Sequence, residues 1–247
     1  MHALLNSRWS KPAVFLLCLV PLGLLGWRAL HGGLTANPIE FITHATGDWT
    51  LRFLVITLCV TPLRKILGLP ELIRFRRMLG LFAIFYACLH FTTYIWLDKF
   101  FDLSEVWKDV AKRKYITVGF TAFVLLIPLA LTSTAGMIRR LGGKRWQMLH
   151  RLIYFSALGG VIHYYWLVKS DIRLPLMYGA ILAVLLVYRV IKRLRKPRVA
   201  QRRRSARSDA PCASAHPTRK EGPRAAYIHN PPQHGRCCYA LGLARRP

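Results

Sequence analysis

Six apolar stretches alternate with polar, mostly basic ones along the chain, at roughly 12–30, 49–67, 78–97, 115–134, 149–168 and 174–191. Each is close to the ~20 residues that a helix needs to cross the hydrocarbon of a bilayer. No water reaches that layer to satisfy open backbone groups, so each run is expected to be helical. Pro21, Pro62 and Pro128 fall inside runs and are tolerable there as local kinks. The first run resembles a secretory signal in length, but it lacks a clear small-residue cleavage site and five more runs follow. Trp9, Trp27, Trp49, Trp96, Trp146 and Trp166 fall near run ends, where amphipathic rings sit at headgroup level, and only Trp107 lies clearly outside a run. The pattern predicts an all-α, polytopic membrane bundle of six transmembrane helices over residues 1–196.

Residues 197–247 are different material. Arg, Pro, Ala and Ser dominate, with no period of 2 or 3.6, and the stretch is expected to be a basic, disordered cytoplasmic tail whose Arg-rich start lies against anionic lipid.

Charge orients the bundle. The 247 residues carry 37 Lys and Arg against 10 Asp and Glu, a formal net charge of +27. No nucleic-acid-binding motif accompanies this excess, so nucleic acid is not an expected partner. The bases cluster instead before the first run (Arg8, Lys11), between the second and third (Arg64, Lys65, Arg74, Arg76, Arg77), between the fourth and fifth (Arg139, Arg140, Lys144, Arg145) and after the last. The 31–48 segment has none, whereas 98–114 departs from the rule with Lys99, Lys108, Lys112, Arg113 and Lys114. The balance places both termini in the cytoplasm. The six cysteines form no CxxC pair and no CxxCH motif, which argues against a disulfide framework and against covalently attached haem.

The candidate chemistry lies in the histidines. An ionisable residue inside a span is costly, and functional use is its default reading. His90 is 12 residues past Met78, hence about 18 Å along a span running outward. His163 is 14 residues past Leu149, hence about 21 Å along another outward span. Two imidazoles at matched depth across a bundle suit the two axial positions of a haem iron. His150 lies about 20 Å below His163 on the same run and cannot share that iron. It is open to two readings, a ligand to a second, inner cofactor or an interfacial histidine beside Arg145 and Arg151. His31, Glu40, His44 and Asp48 in the 31–48 segment could form a metal site, a further haem contact or a quinone pocket, but are read first as a solvated loop. No GxSxG, HExxH, P-loop or GxGxxG after a strand is present. The chain therefore has no site of its own for collecting hydride from a nicotinamide. A small-solute or proton transporter with histidine relays, and a non-redox scaffold, are the competing readings.

The stretches "NPIEFITHATGDWTLRFL" (37–54), "TPLRK" (61–65), "RRMLGLFAIFYACLHFTTYIWLD" (76–98) and "TSTAGMIRRLGGKRWQMLHRLIY" (132–154), followed by His163, carry a resemblance. The chain resembles the ferric-reductase-like transmembrane domain. More closely, it is similar to the family of haem-binding membrane subunits of bacterial periplasmic protein-methionine-sulfoxide reductase systems (the MsrQ, or YedZ, family). The resemblance implies a multi-pass protein of the bacterial inner membrane that transfers electrons and is not itself the catalytic reductase. It implies a b-type haem held by membrane histidines, which map onto His90, His150 and His163, with His90 and His163 on the iron, and bound FMN. It further implies a quinone or a cytosolic flavin reductase as electron donor. The acceptor is a periplasmic molybdopterin-containing subunit that reduces methionine sulfoxide in proteins. Two departures from the wider ferric-reductase pattern stand out. Where that pattern has a second histidine 13 residues before His90, this chain has Arg77, preceded by Arg76. Two arginines at an inner helix start can grip a flavin phosphate, which places Arg76, Arg77 and His150 near FMN. The cytosolic flavin and nicotinamide domain is also missing.

Overall fold

The computed structural model describes residues 7–168 and 171–208, and helices are the regular structure found there. Eight α-helices follow one another: α1 Ser10–Leu30, α2 Pro38–Ile66, α3 Ile73–Thr93, α4 Leu103–Lys112, α5 Lys114–Leu131, α6 Ala135–Leu149, α7 Leu152–Leu167 and α8 Arg173–Ser208. By contacts the chain separates into Met1–Val199 and Ala200–Pro247. In the second unit, helical backbone is described as far as Ser208. The rest of the expected tail, 209–247, lies outside the described residues.

α1, α5, the first part of α8 (Arg173–Leu194) and the stretch Pro70–Asp98 built on α3 are each long and apolar enough to cross a membrane. α7 is apolar but shorter, at 16 residues, about 24 Å of helix. α2, at 29 residues, is longer than α1 and α3 to α7, but Glu40, Asp48, Arg52, Arg64 and Lys65 lower its apolarity. Leu17, Leu24, Val184 and Leu194 project outward on these helices, each more than half exposed, as lipid-facing side chains do.

Two helix boundaries differ from the hydropathy pattern. α2 starts at Pro38, not near 49. Asn37 caps it by accepting from the Glu40 amide (3.3 Å) and donating its own amide to Glu40 Oε2 (3.1 Å), and Pro38 fills the first helical position. Glu40, His44 and Asp48 are therefore successive turns of a helix, not a loop. The expected 135–148 loop is likewise helical, as α6, capped by Thr134 and interrupted at Gly142, whose φ of 73° is open to glycine.

Packing groups the helices in pairs. α2 runs along α3, and α5 runs along α7. In the first pair Phe53, Leu58, Phe82, Ala83 and Tyr86 are buried, and the Tyr86 hydroxyl donates to Cys18 O of α1 (2.9 Å) beside Pro21. In the second pair Ser156 donates to Ala122 O (2.8 Å), and a Cβ on Gly159 would lie 3.1 Å from that of Ala122. Such close approach through small residues is how helices associate where lipid removes the hydrophobic drive. The pairs lie side by side and leave a space between α3 and α7.

The connection between α3 and α5 is built on one buried cation. After a π-helical turn at Tyr94–Asp98, Phe100 and Phe101 take left-handed φ values of 46° and 64°. α4 then begins with Asp102 accepting from the amides of Ser104 (2.9 Å) and Glu105 (3.1 Å). Lys99, 8% exposed, reaches Asp109 Oδ2 (2.8 Å) and Glu105 Oε1 (2.9 Å), with Asp98 at 3.8 Å. The bases that depart from the positive-inside rule are thus partly neutralised where they stand. The Lys99 hydrogen bond holds the Asp109 carboxyl below the usual carboxylate range, and the two carboxylates raise Lys99 above the usual lysine value.

These shifts fix a pH window. The contribution of Asp109 is present above its unfolded value, near 3.9, and is lost as pH falls through the depressed folded value. That of Lys99 is complete below about 10.4 and is lost as pH rises through the raised value. Amide protection of α4 in hydrogen exchange is therefore expected to be highest between about pH 5 and 10 and to drop by pH 3. Asp109→Asn is expected to cost about 2 kcal/mol of local stability at pH 7. Equal α4 protection at pH 3 and pH 7 would contradict the network.

Candidate functional site

The space between the helix pairs is a cavity of about 950 Å³, within the usual range for cofactor sites, lined by α2, α3, α5 and α7. His90 of α3 and His163 of α7 both line it. Their ring centroids are 6.2 Å apart and their planes cross at 74°. An imidazole nitrogen binds a metal at about 2.0 Å. Each nitrogen lies about 1.1 Å from its ring centroid, so two rings on opposite sides of one ion have centroids roughly 6.3 Å apart. The observed separation matches.

Each imidazole is fixed in the same way. His90 Nδ1 lies 2.9 Å from Thr43 O of α2, and His163 Nδ1 lies 2.7 Å from Tyr115 O of α5. A carbonyl only accepts, so Nδ1 carries the proton in both rings and Nε2 keeps its lone pair. This is the arrangement of a metal-ligating histidine whose far nitrogen is tied to the backbone.

The acceptor carbonyls are reachable because of two glycines. Gly47 lies four residues after Thr43, and Gly119 four residues after Tyr115. A helical side chain leans back over the preceding turn and would cover that carbonyl. A Cβ on Gly47 would stand 3.0 Å from His90 Nδ1 and Cε1. On Gly119 it would stand 2.6 Å from His163 Nδ1, closer than any side chain tolerates. The rings occupy the places where these side chains would be. Neither glycine, nor either carbonyl, was singled out in the sequence. The available signal was a glycine within an apolar helical run, where it weakens the helix.

Arg28, Arg52 and Arg113 also line the cavity. Arg52 is ion-paired to Asp48, lies over the Trp49 ring (4.6 Å to the ring centroid) and donates to the Tyr178 hydroxyl (3.1 Å). His44 and Glu40 also line this cavity, and His44 is exposed. His31 stacks on Trp27 (3.8 Å) away from the cavity lining. Among the described residues, no group of three or more His, Cys, Asp and Glu side chains is placed to hold an ion.

His150, Arg76 and Arg77 are not at this cavity. His150 caps α6, with its ring stacked on Trp146 (3.9 Å) and Nδ1 3.2 Å from Trp146 O. Arg76 is half-buried and is an electrostatic neighbour of His150, while Arg77 on the next position is exposed. The structure thus groups Arg76 with His150 at the other end of the bundle from the His90–His163 pair.

The family described as "Ferric reductase like transmembrane component" matches residues 46–161, the segment that holds α2 from Thr46 through most of α7. Among curated relatives, a protein of Herminiimonas arsenicoxydans is 60% identical over 182 residues, covering 73% of this chain and 84% of the relative. One of Rhodospirillum rubrum is 51% identical over 193 residues, 78% of this chain and 93% of the relative. One of Xanthomonas campestris is 50% identical over 208 residues, 82% of this chain and 93% of the relative. Each relative is named protein-methionine-sulfoxide reductase heme-binding subunit MsrQ. With this identity across most of both lengths, and with several helices apolar enough to cross a bilayer, the chain belongs to the MsrQ family of ferric-reductase-like, multi-pass proteins of the bacterial inner membrane.

Proposed function

We propose that this chain is the membrane electron-transfer subunit of a methionine-sulfoxide-repair system and seats a b-type haem between His90 and His163. The observation that carries the reading is the paired imidazoles, 6.2 Å between centroids, each with Nδ1 bonded to a backbone carbonyl. The donor set fits the group. Among the described residues no third His, Cys, Asp or Glu joins the two imidazoles to hold a bare ion, and such a pair suits a haem iron. When bound, the haem supplies one-electron redox chemistry. The chain's own residues set its position. His90 and His163 would hold the haem iron, Thr43 and Tyr115 hold their tautomers, and Gly47 and Gly119 leave the rings room. The relatives' name, a haem-binding subunit, agrees with this reading.

In the same reading, the inner end with Arg76, Arg77 and His150 accommodates FMN. The electron donor is a quinone-pool quinol or a cytosolic flavin reductase, and the acceptor is a periplasmic molybdopterin-containing subunit that reduces methionine sulfoxide in proteins. Residues 1–196 form the six-span haem domain with both termini cytoplasmic.

Purified protein is expected to show a Soret band that shifts on reduction, and His90→Ala or His163→Ala is expected to remove it. A colourless, properly folded wild-type preparation would favour transport or scaffolding instead. Gly119→Ala is expected to weaken haem retention about 5- to 150-fold, because overpacking of this kind costs about 1–3 kcal/mol. Gly136→Ala, with nothing within 4 Å of its added Cβ, is expected to retain haem like the wild type. Equal haem content in the two variants would remove the glycine from the account.

A further inference from the structure

The inner end of the bundle holds a polar cluster that His90 and His163 do not use. Between residues 62 and 79 the chain carries Arg64, Lys65, Arg74, Arg76 and Arg77 against one acid, Glu71, which is already engaged. α8 adds a further base from across the bundle. Arg189 donates to Leu58 O (2.6 Å), with its guanidinium 5.1 Å from the centre of the Tyr154 ring. Arg64 and Arg189 are both electrostatic neighbours of Arg76. Arg189 of α8 thus reaches the α2 turn that precedes Arg64, with Arg76 of α3 within electrostatic range of both arginines.

Their hydrogen bonding is incomplete. Thr61 Oγ1, Arg64 Nε and Arg189 Nη1 are buried without a hydrogen bond, as is one carboxylate oxygen of the otherwise engaged Glu71. Thr61 and Arg64 are three residues apart on α2, hence on one face, one turn beyond the Leu58 carbonyl that Arg189 grips. A guanidinium donates and never accepts, so the arginines cannot satisfy one another, and the Thr61 hydroxyl offers them a single accepting oxygen. A buried donor left unmade carries its full desolvation penalty, and like charges at close range add repulsion. One kind of ligand relieves both, an anion with several acceptor oxygens. A carboxylate offers two oxygens in one plane. A tetrahedral phosphate group presents oxygens in several directions, as donors arriving from three helices require, and pairs well with guanidinium forks.

We propose that Thr61, Arg64, Arg76 and Arg189 form a binding site for a phosphate-class anion at the inner end of the bundle. Two sources carry that chemistry, the phosphate of a mononucleotide such as FMN and the headgroup of an acidic phospholipid. The site rests on the flavin reading above for the first source only. It assigns the grip to Arg64 and Arg189 as well as Arg76, on helices other than the one that carries the Arg76–Arg77 doublet.

The test uses the full chain in detergent after delipidation, as wild type, Arg64→Met, Arg189→Met and, as a control, Arg139→Ala, an exposed base on α6. FMN binding is read by flavin fluorescence, phosphatidylglycerol binding by native mass spectrometry, and folding by the Soret band. Losing one charged donor is expected to weaken binding of one probe roughly tenfold or more in both methionine variants, with the control unchanged. Loss of FMN identifies the nucleotide phosphate as the ligand, and loss of phosphatidylglycerol identifies the lipid. A wild type that binds lipid but no flavin would sink the flavin reading and leave this site standing. Should Arg189→Met fail to fold, Arg64→Met and Thr61→Val give the same readout. Unchanged binding of both probes in the variants, or a wild type that binds neither, overturns the site.

Discussion

The bond on which the rest depends is an imidazole N–H donated to a helix carbonyl that a glycine leaves uncovered. It occurs twice, at His90 with Thr43 and Gly47, and at His163 with Tyr115 and Gly119. In each case the histidine comes from one helix of a pair and the carbonyl and glycine from the other. Pairing of α2 with α3, and of α5 with α7, is therefore what sets the direction of each ring. It also fixes which nitrogen carries the proton, and so which one is left for a metal. The gap between the pairs follows as a consequence, because each histidine is spent on its own pair on the Nδ1 side and faces the other pair across the cavity.

The α4 end of the bundle protects this arrangement. The chain has to return from α3 to α5 beside the cavity, and Arg113 and Tyr115 of that return line it. Lys99 ties the end of α3 to α4 through Glu105 and Asp109, and Arg113 Nε at 3.4 Å from Asp109 Oδ1 extends the ties to the start of α5. Tyr115 is the residue whose carbonyl holds His163. A loosened α4 would thus be felt at the ring through only a few bonds. The positive φ at Phe100 and Phe101 is the local strain that accompanies this tight return.

Much of this was legible in the chain. The apolar runs locate α1, α3, α5, α7 and α8, because lipid demands continuous apolar helix. The matched depths of His90 and His163 anticipated that they meet, since rise per residue is constant along a helix. What hydropathy misplaced was polar helix. α2 begins 11 residues before its apolar run, since its first turns face a cavity and not lipid, although Asn37-Pro38 and Glu40 form a readable cap. The Gly47 and Gly119 roles were not legible, because a carbonyl acceptor belongs to the backbone and leaves no mark on residue type. Nor could the chain show Arg189 approaching Arg64 and Arg76, which depends on how α8 packs against α2.

The most direct test of the paired-imidazole claim is electron paramagnetic resonance of the oxidised protein, with nitrogen couplings resolved after ¹⁵N labelling of histidine. The account predicts one low-spin ferric centre coupled to the nitrogens of two imidazoles. A high-spin centre, or coupling to a single histidine, would contradict it.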